Sequence, residues 1–190
     1  MKVLLAVDSS PASQNVISEA VSRPWCSGTV FCVLTVLDTG HWGGLATLIG
    51  DAKRDAKTLV TAARGELERS GLEVLSRIQL GVPKKAISKY AKRWGADLIM
   101  IGSRGLSALT RFLLGSVAQA VLRTATCSVE IVRPSPQGSP ASSRGMKILV
   151  ATDGSNCSEN ALCAAANRPW PAETQVKVIS VREFLVLRIE

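Results

Sequence analysis

The ten residues that open the chain, MKVLLAVDSS, return at residue 146 as MKILVATDGS, and the echo continues from Ser22–Trp25 (SRPW) to Asn167–Trp170 (NRPW). A duplication of this kind fixes the unit from which the fold is built. In each copy an apolar run ends at an aspartate, Asp8 or Asp153, followed by a serine-rich cap, a segment of helical period and a β-branched run, Val30–Leu37 or Val176–Val181. The unit is therefore β-turn-α-β. The stretch PSPQGSPASSRG between the copies holds three prolines and four serines without periodicity, and reads as an exposed connection. We expect a complete domain over residues 1–134, a linker over 135–145 and a partial second domain over 146–190, which stops after its second strand and an apolar tail, Phe184–Ile189.

The first copy continues with an amphipathic helix from about Asp51 to Ser70, a strand around Leu72–Leu80 and a helix from Pro83 to about Trp94. A wholly apolar strand at Asp97–Ile101, a helix from Ser116 and a last strand at Ser128–Val132 complete it. Strands alternating with helices call for an open parallel α/β sheet, Rossmann-like, with right-handed crossovers and helices on both faces. Leu98–Ile101 should be a central strand buried on both sides.

Directly after that strand comes Gly102-Ser-Arg-Gly105, then nine residues, then Gly115-Ser116 opening a helix. Glycines at the carboxyl end of a buried strand let backbone approach a ligand, and a helix N-terminus offers free N–H groups and a positive dipole to phosphate. Ser116 is placed to cap the helix and donate a hydroxyl, with Arg104 and Arg111 adding charge. Taken alone, these glycines would only shape a turn. Asp8, however, ends the first strand at the same edge, where open α/β sheets bind ligands. Neither GxxxxGK[ST] nor a GxGxxG after the first strand is present.

On these residues the chain resembles the universal stress protein family, whose ATP-binding branch carries Gly-x2-Gly-x9-Gly-Ser and an aspartate closing the first strand. The likeness covers residues 1–134, and residues 146–183 resemble the start of a second such domain, as in tandem members. The resemblance implies a five-stranded sheet of order 3-2-1-4-5. It implies that Asp8 contacts the adenosine, that Val36 backbone reads the adenine edge, and that Ala6 and Val7 flank the base. Gly102, Arg104, Gly105, Gly115, Ser116 and Val117 would surround ribose and phosphates, with Mg2+ or Mn2+ carried by the phosphates. Ala6 stands where some members have proline. The implied function is a nucleotide-responsive module in stress response, assembled as a homodimer through the last strand, Ser128–Val132. Two other readings remain open, a slow ATPase or nucleotidyl-transfer enzyme and a pairing module that binds no nucleotide.

Other features point the same way. No apolar run reaches the roughly 18 residues of a spanning helix, and the opening run is too short for a signal peptide, so a cytoplasmic location is expected. Five cysteines, an odd number without a CxxC pair, and one histidine, His41, disfavour disulfide and zinc frameworks; we read the cysteines as buried or half-buried small hydrophobes. Catalytic and metal-ligating residues are not expected, since no paired carboxylate, GxSxG or Cys–His arrangement can be assembled. His41-Trp42 reads as a surface loop. The excess of 23 Lys+Arg over 15 Asp+Glu, a net charge of +8, suits an anionic partner. The basic run Arg77, Lys84, Lys85, Lys89, Lys92, Arg93 reads first as a solvated face, and nucleic acid is placed well behind nucleotide as that partner, because only Tyr90 and Trp94 interleave it. Trp25 and Trp170, at matching positions, are expected to cover the end of each copy's core.

Overall fold

The computed structural model describes residues 1–38, 46–104, 114–134 and 145–180. Gly105, Arg111, the His41-Trp42 loop, most of the linker and the tail Phe184–Ile189 lie outside the described residues. Contacts divide the chain into two compact units, one of Met1–Ser22 with Cys26–Pro140, the other of Ala141–Glu190 with Arg23–Trp25.

In the first unit the elements run β1 (Lys2–Ala6), α1 (Pro11–Ser22), β2 (Val30–Leu37), α2 (Ala46–Arg69), β3 (Glu73–Leu80), α3 (Pro83–Trp94), β4 (Leu98–Gly102), α4 (Ser116–Thr124) and β5 (Ser128–Val132). The five strands form one parallel sheet of order β3-β2-β1-β4-β5, as expected. The central strands β1 and β4 are apolar because a parallel strand covered on both faces has no wet side: Leu98–Gly102 is buried throughout, and Val3, Leu4 and Leu5 are fully buried. Alternation then sends the side chains to opposite faces. Leu4, Cys32, Leu34, Ile99 and Ile101 pack with Ile87, Tyr90 and Ala91 of α3 and Ala118 and Val121 of α4. The opposite positions, such as Val3, Leu5, Phe31 and Val33, are left for α1 and α2, which pack together as α3 and α4 do.

The sequence places most element ends within a residue or two, and the exceptions have local causes. Helix α2 begins at Ala46, five residues before Asp51. Helix α3 starts at Pro83, whose missing N–H costs nothing at a first position, and stops at Gly95, whose φ of 73° returns its N–H to the carbonyls of Ala91 and Lys92. The amino-terminal ends of the two central strands are tied together: Lys2 N donates to Asp97 Oδ2 at 2.7 Å, and Asp97 N donates back to Lys2 O at 2.9 Å.

The cysteine expectation fails for three of five. Cys32 is buried and Cys127 half-buried, but Cys26, Cys157 and Cys163 are exposed, because the helix and loop positions that carry them face away from any core. Burial pushes the Cys32 thiol up, and it pushes the Tyr90 phenol, whose oxygen lies 3.6 Å from Cys32 Sγ, up to about 12.

The second unit repeats the start of the same fold. Strand β6 (Lys147–Thr152), helix α5 (Asn156–Asn167) and strand β7 (Gln175–Ser180) form a two-stranded parallel sheet. Leu149, Val176 and Val178 are more than half exposed, although Leu149 repeats Leu4, Val176 repeats Phe31 and Val178 repeats Val33, all fully buried in the first copy. Trp170 and Trp25 are both half-exposed, and the Trp170 indole donates to Ala165 O at 2.7 Å.

Gly102 owes its identity to packing as well as to the ligand edge. A Cβ there would sit 2.8 Å from the Cβ of Ala12 and 3.2 Å from its carbonyl carbon and oxygen, so β4 and α1 approach too closely for any side chain. Gly102→Ala should therefore lose roughly 1–3 kcal/mol of stability, read as a lower Tm, and Ala12→Gly in the same chain should recover part of it. An unchanged Tm in Gly102→Ala would contradict this packing.

Candidate functional site

Parallel pairing sets Ala6 opposite both Leu34 and Ile101, so β1 and β4 end within a residue of each other, β2 runs on to Leu37, and the carboxyl ends of all three lie at one edge of the sheet. A cleft opens there, lined by Ala6, Val7 and Asp8 after β1, Leu34 and Val36 on β2, and Ile101, Gly102 and Arg104 at β4. Pro83 and Ile87 from α3 and Gly115, Ser116, Val117 and Ala118 from the start of α4 close its sides. Nine of the ten residues expected at the site line this one cleft: Ala6, Val7, Asp8, Val36, Gly102, Arg104, Gly115, Ser116 and Val117. The tenth, Gly105, lies outside the described residues.

The floor is apolar and one wall is polar. Val7 N extends the β1–β2 ladder by donating to Leu34 O at 2.9 Å, while Thr35 Oγ1 donates to Val7 O at 2.8 Å, which fixes the backbone under the cleft. Asp8 is held by a turn of its own. Its Oδ1 accepts from Ser10 N at 3.0 Å, from Ser13 Oγ at 2.7 Å and from Ser10 Oγ, and its N–H donates to Ser13 Oγ at 2.7 Å. Among the described residues Asp8 Oδ2 carries no hydrogen bond, so it is the oxygen left to meet a ligand. Ser13 itself lines the cleft and was not singled out in the sequence; its signal is the D-x-S-x-x-S spacing of an aspartate-led turn.

Opposite Asp8, the amino end of α4 faces the cleft. The N-cap is Gly115, at φ −59° and ψ 147°, with no side-chain oxygen to satisfy the first-turn N–H groups. The expected capping role of Ser116 is thus incorrect: Ser116 is the first helical residue, one position too late to cap, and its side chain is exposed at the cleft. Uncapped first-turn N–H groups with the helix dipole behind them make a cradle for an anion. Gly115 N donates to Ser103 O at 2.8 Å, and Ser103 N donates to Val132 O at 2.8 Å. This pair of bonds pins both ends of the segment between β4 and α4, with Arg104 beside it.

The second copy tests which part of this arrangement is local. Asp153 Oδ1 accepts from Ser155 N at 2.9 Å, Ser158 N donates to Ser155 Oγ at 3.3 Å, and Ser158 Oγ lies 3.0 Å from Thr152 Oγ1. An aspartate–serine turn therefore forms beside β6 with no phosphate cradle across from it among the described residues. Hydrogen bonds, chiefly from Ser155, hold the Asp153 carboxyl down at about 2. A lowered pKa favours the folded turn above the ordinary value of 3.8, and that preference disappears as pH falls through about 2. A carboxyl-carbon NMR titration should give Asp153 a midpoint near 2, and Ser155→Ala should move it toward 3.8; an unmoved midpoint would show that the turn does not set it.

Known proteins share this architecture. Residues 1–133 match the model of the Universal stress protein family. A putative universal stress protein of Staphylococcus epidermidis is 31% identical over 137 residues, covering 69% of this chain and 82% of the relative. The solved structure of the hypothetical protein MJ0577 superposes with a TM-score of 0.66 at 26% identity, over 71% of this chain and 96% of that one. A universal stress protein solved in complex with cAMP shares the fold at a TM-score of 0.55 and 24% identity, over 71% of this chain and 98% of that one. Among the described residues no helix is long and apolar enough to cross a membrane.

Proposed function

The chain belongs to the universal stress protein family, and from that premise we propose that its first copy is an ATP-binding regulatory module of the stress response. One observation carries the reading. The carboxylate of Asp8 and the uncapped amino end of α4 face each other across a single cleft with an apolar floor, an arrangement suited to a ligand with a flat apolar base, a hydroxylated sugar and an anionic tail. The adenine lies between Val7, Val36 and Ile87, the ribose reaches Asp8, and the phosphates reach Gly115, Ser116, Val117 and Arg104. That cAMP occupies a universal stress protein of the same fold supports the choice of an adenine nucleotide.

Among the described residues no three His, Cys, Asp or Glu side chains gather as a metal site. A divalent ion, Mg2+ or Mn2+, would come with the phosphates and be held through them. Asp8 is the carboxylate of the cleft, and with Oδ1 bonded to Ser10 and Ser13 it holds the ligand through Oδ2. Occupancy acts by favouring one conformation or assembly over another. The assembly is a homodimer through β5, which is an edge strand of the five-stranded sheet and has its first four residues half-exposed.

Calorimetric titration with ATP and Mg2+ should give one site per chain, and two equivalent sites or none would contradict the reading. Gly115 has a backbone conformation open to any residue, so Gly115→Val should remove most of the affinity while lowering Tm little. Asp8→Ala should weaken ATP and adenosine alike, whereas Arg104→Ala should weaken ATP far more than adenosine. A lost charge-assisted hydrogen bond is expected to cost on the order of 1.5–3 kcal/mol, about tenfold to a hundredfold. Matching ligand profiles for the two variants would reverse the assigned orientation.

A further inference from the structure

The two helical layers of the first unit differ in charge. Helices α1 and α2 carry five acidic residues (Glu19, Asp51, Asp55, Glu66, Glu68) and five basic ones (Lys53, Arg54, Lys57, Arg64, Arg69). They form compensating pairs on the helix surface, Arg54 with Asp51 at 3.0 Å and Arg64 with Glu68 at 2.7 Å. Helices α3 and α4, on the opposite face of the sheet, carry Lys84, Lys85, Lys89, Lys92, Arg93 and Arg123, all exposed, and no acidic residue. None of the six forms an ion pair with a described residue.

A solvated face explains the exposure of these cations but not their arrangement. Lys85–Lys89 and Lys89–Arg93 are like-charge pairs at i, i+4, and Lys89–Lys92 is one at i, i+3; such spacings destabilise a helix. Lys84 and Lys85 stand in the first turn of α3, where the positive end of the helix dipole disfavours cations and where no acid stands. Helix α2 has like-charge spacings too, Asp51–Asp55 and Lys53–Lys57, but offsets them with the Asp51–Arg54 and Arg64–Glu68 pairs, which α3 has no acid to form. Local choices that oppose the stability of their own element mark sites held for another purpose.

We propose that the face formed by α3 and α4 docks the phosphodiester backbone of duplex nucleic acid, independently of the nucleotide cleft. Lys85, Lys89 and Lys92 run along one helix stripe at about 1.5 Å per residue, a span of roughly 10 Å that crosses several phosphates of a strand spaced about 3.4 Å apart along the axis. The aromatics that could stack on unpaired bases are withdrawn: Tyr90 is buried under Arg93, whose guanidinium lies 5.3 Å from the ring centre, and Trp94 is half-buried with the Lys2 ammonium 5.6 Å from its ring. A face that reads charge without stacking fits a duplex rather than a single strand. Leu122 is the one large apolar side chain exposed on these two helices, too little to anchor in a lipid surface.

The test uses the full chain and a 20-base-pair DNA duplex, followed by fluorescence anisotropy across salt concentrations. The triple variant Lys85→Gln, Lys89→Gln, Lys92→Gln should lose at least tenfold in affinity at low salt. The slope of log K against log salt should shrink by about 2 to 3, near 0.9 for each phosphate no longer neutralised. Lys53→Gln, Arg54→Gln, Lys57→Gln on α2 removes the same charge and should change affinity less than threefold. The triple variant Lys85→Arg, Lys89→Arg, Lys92→Arg should keep binding, and the Gln triple should keep its Tm and its ATP affinity. Absence of duplex binding by the wild type at 50 mM salt would overturn the proposal. So would equal losses from the α2 and α3 triples, tighter binding to a single strand of the same length, or tighter binding to phosphatidylserine vesicles than to the duplex.

Discussion

The parallel register of β1 with β4, which sets Ala6 opposite Ile101, is the constraint on which the rest of the first unit depends. These strands are not adjacent in sequence, and a shift of one residue would turn the buried side chains of both toward the wrong helical layer. Because the register holds, Asp8 and Gly102 emerge at one edge, and the segment that follows β4 must return to start α4 beside them. The bond from Gly115 N to Ser103 O secures that return. The close approach of β4 to Ala12 makes glycine obligatory at residue 102. A residue that looks reserved for a ligand therefore also serves the scaffold, and its substitution reports on both.

The duplication separates what is local from what is not. Asp8 with Ser10, and Asp153 with Ser155, share the bond from the serine N–H to the aspartate Oδ1, while Ser13 bonds to Asp8 and Ser158 bonds instead to Ser155 and Thr152. Such a turn needs only a few neighbouring residues. The anion cradle needs β4, the segment after it and α4, which come from about a hundred residues further along the first copy and have no counterpart among the described residues of the second. That contrast explains why one aspartate faces a cleft with a polar wall and the other stands beside two strands whose Leu149, Val176 and Val178 remain in water.

Most element ends were legible in the sequence because periodicity, Pro83 and the apolar run at 98–101 are local signals with one structural meaning, whereas the sheet order came from the family resemblance. Nine of the positions implied by the family resemblance line one cleft because they follow strand ends or open a helix at the same edge of the sheet. Other features were not legible. Ser116 looks like a cap until the helix is seen to begin at it, a difference of one residue. The Leu34, Ile87 and Ile101 floor is indistinguishable from ordinary core in sequence. Cys26, Cys157 and Cys163 are exposed, since residue type carries less weight than position for a small side chain. The basic stripe on α3 was visible as a run, but its meaning depends on the balanced layer across the sheet.

The central claim is that a nucleotide enters the cleft between Asp8 and the start of α4, and nowhere in the second copy. Amide chemical shifts followed by NMR as ATP and Mg2+ are added to the full chain test it directly. Large shifts are expected for Asp8, Ser13, Arg104 and the first-turn amides Ser116, Val117 and Ala118, with those of Asp153, Ser155 and Ser158 unmoved. Shifts of equal size around Asp153, or a first turn of α4 that does not respond, would contradict it.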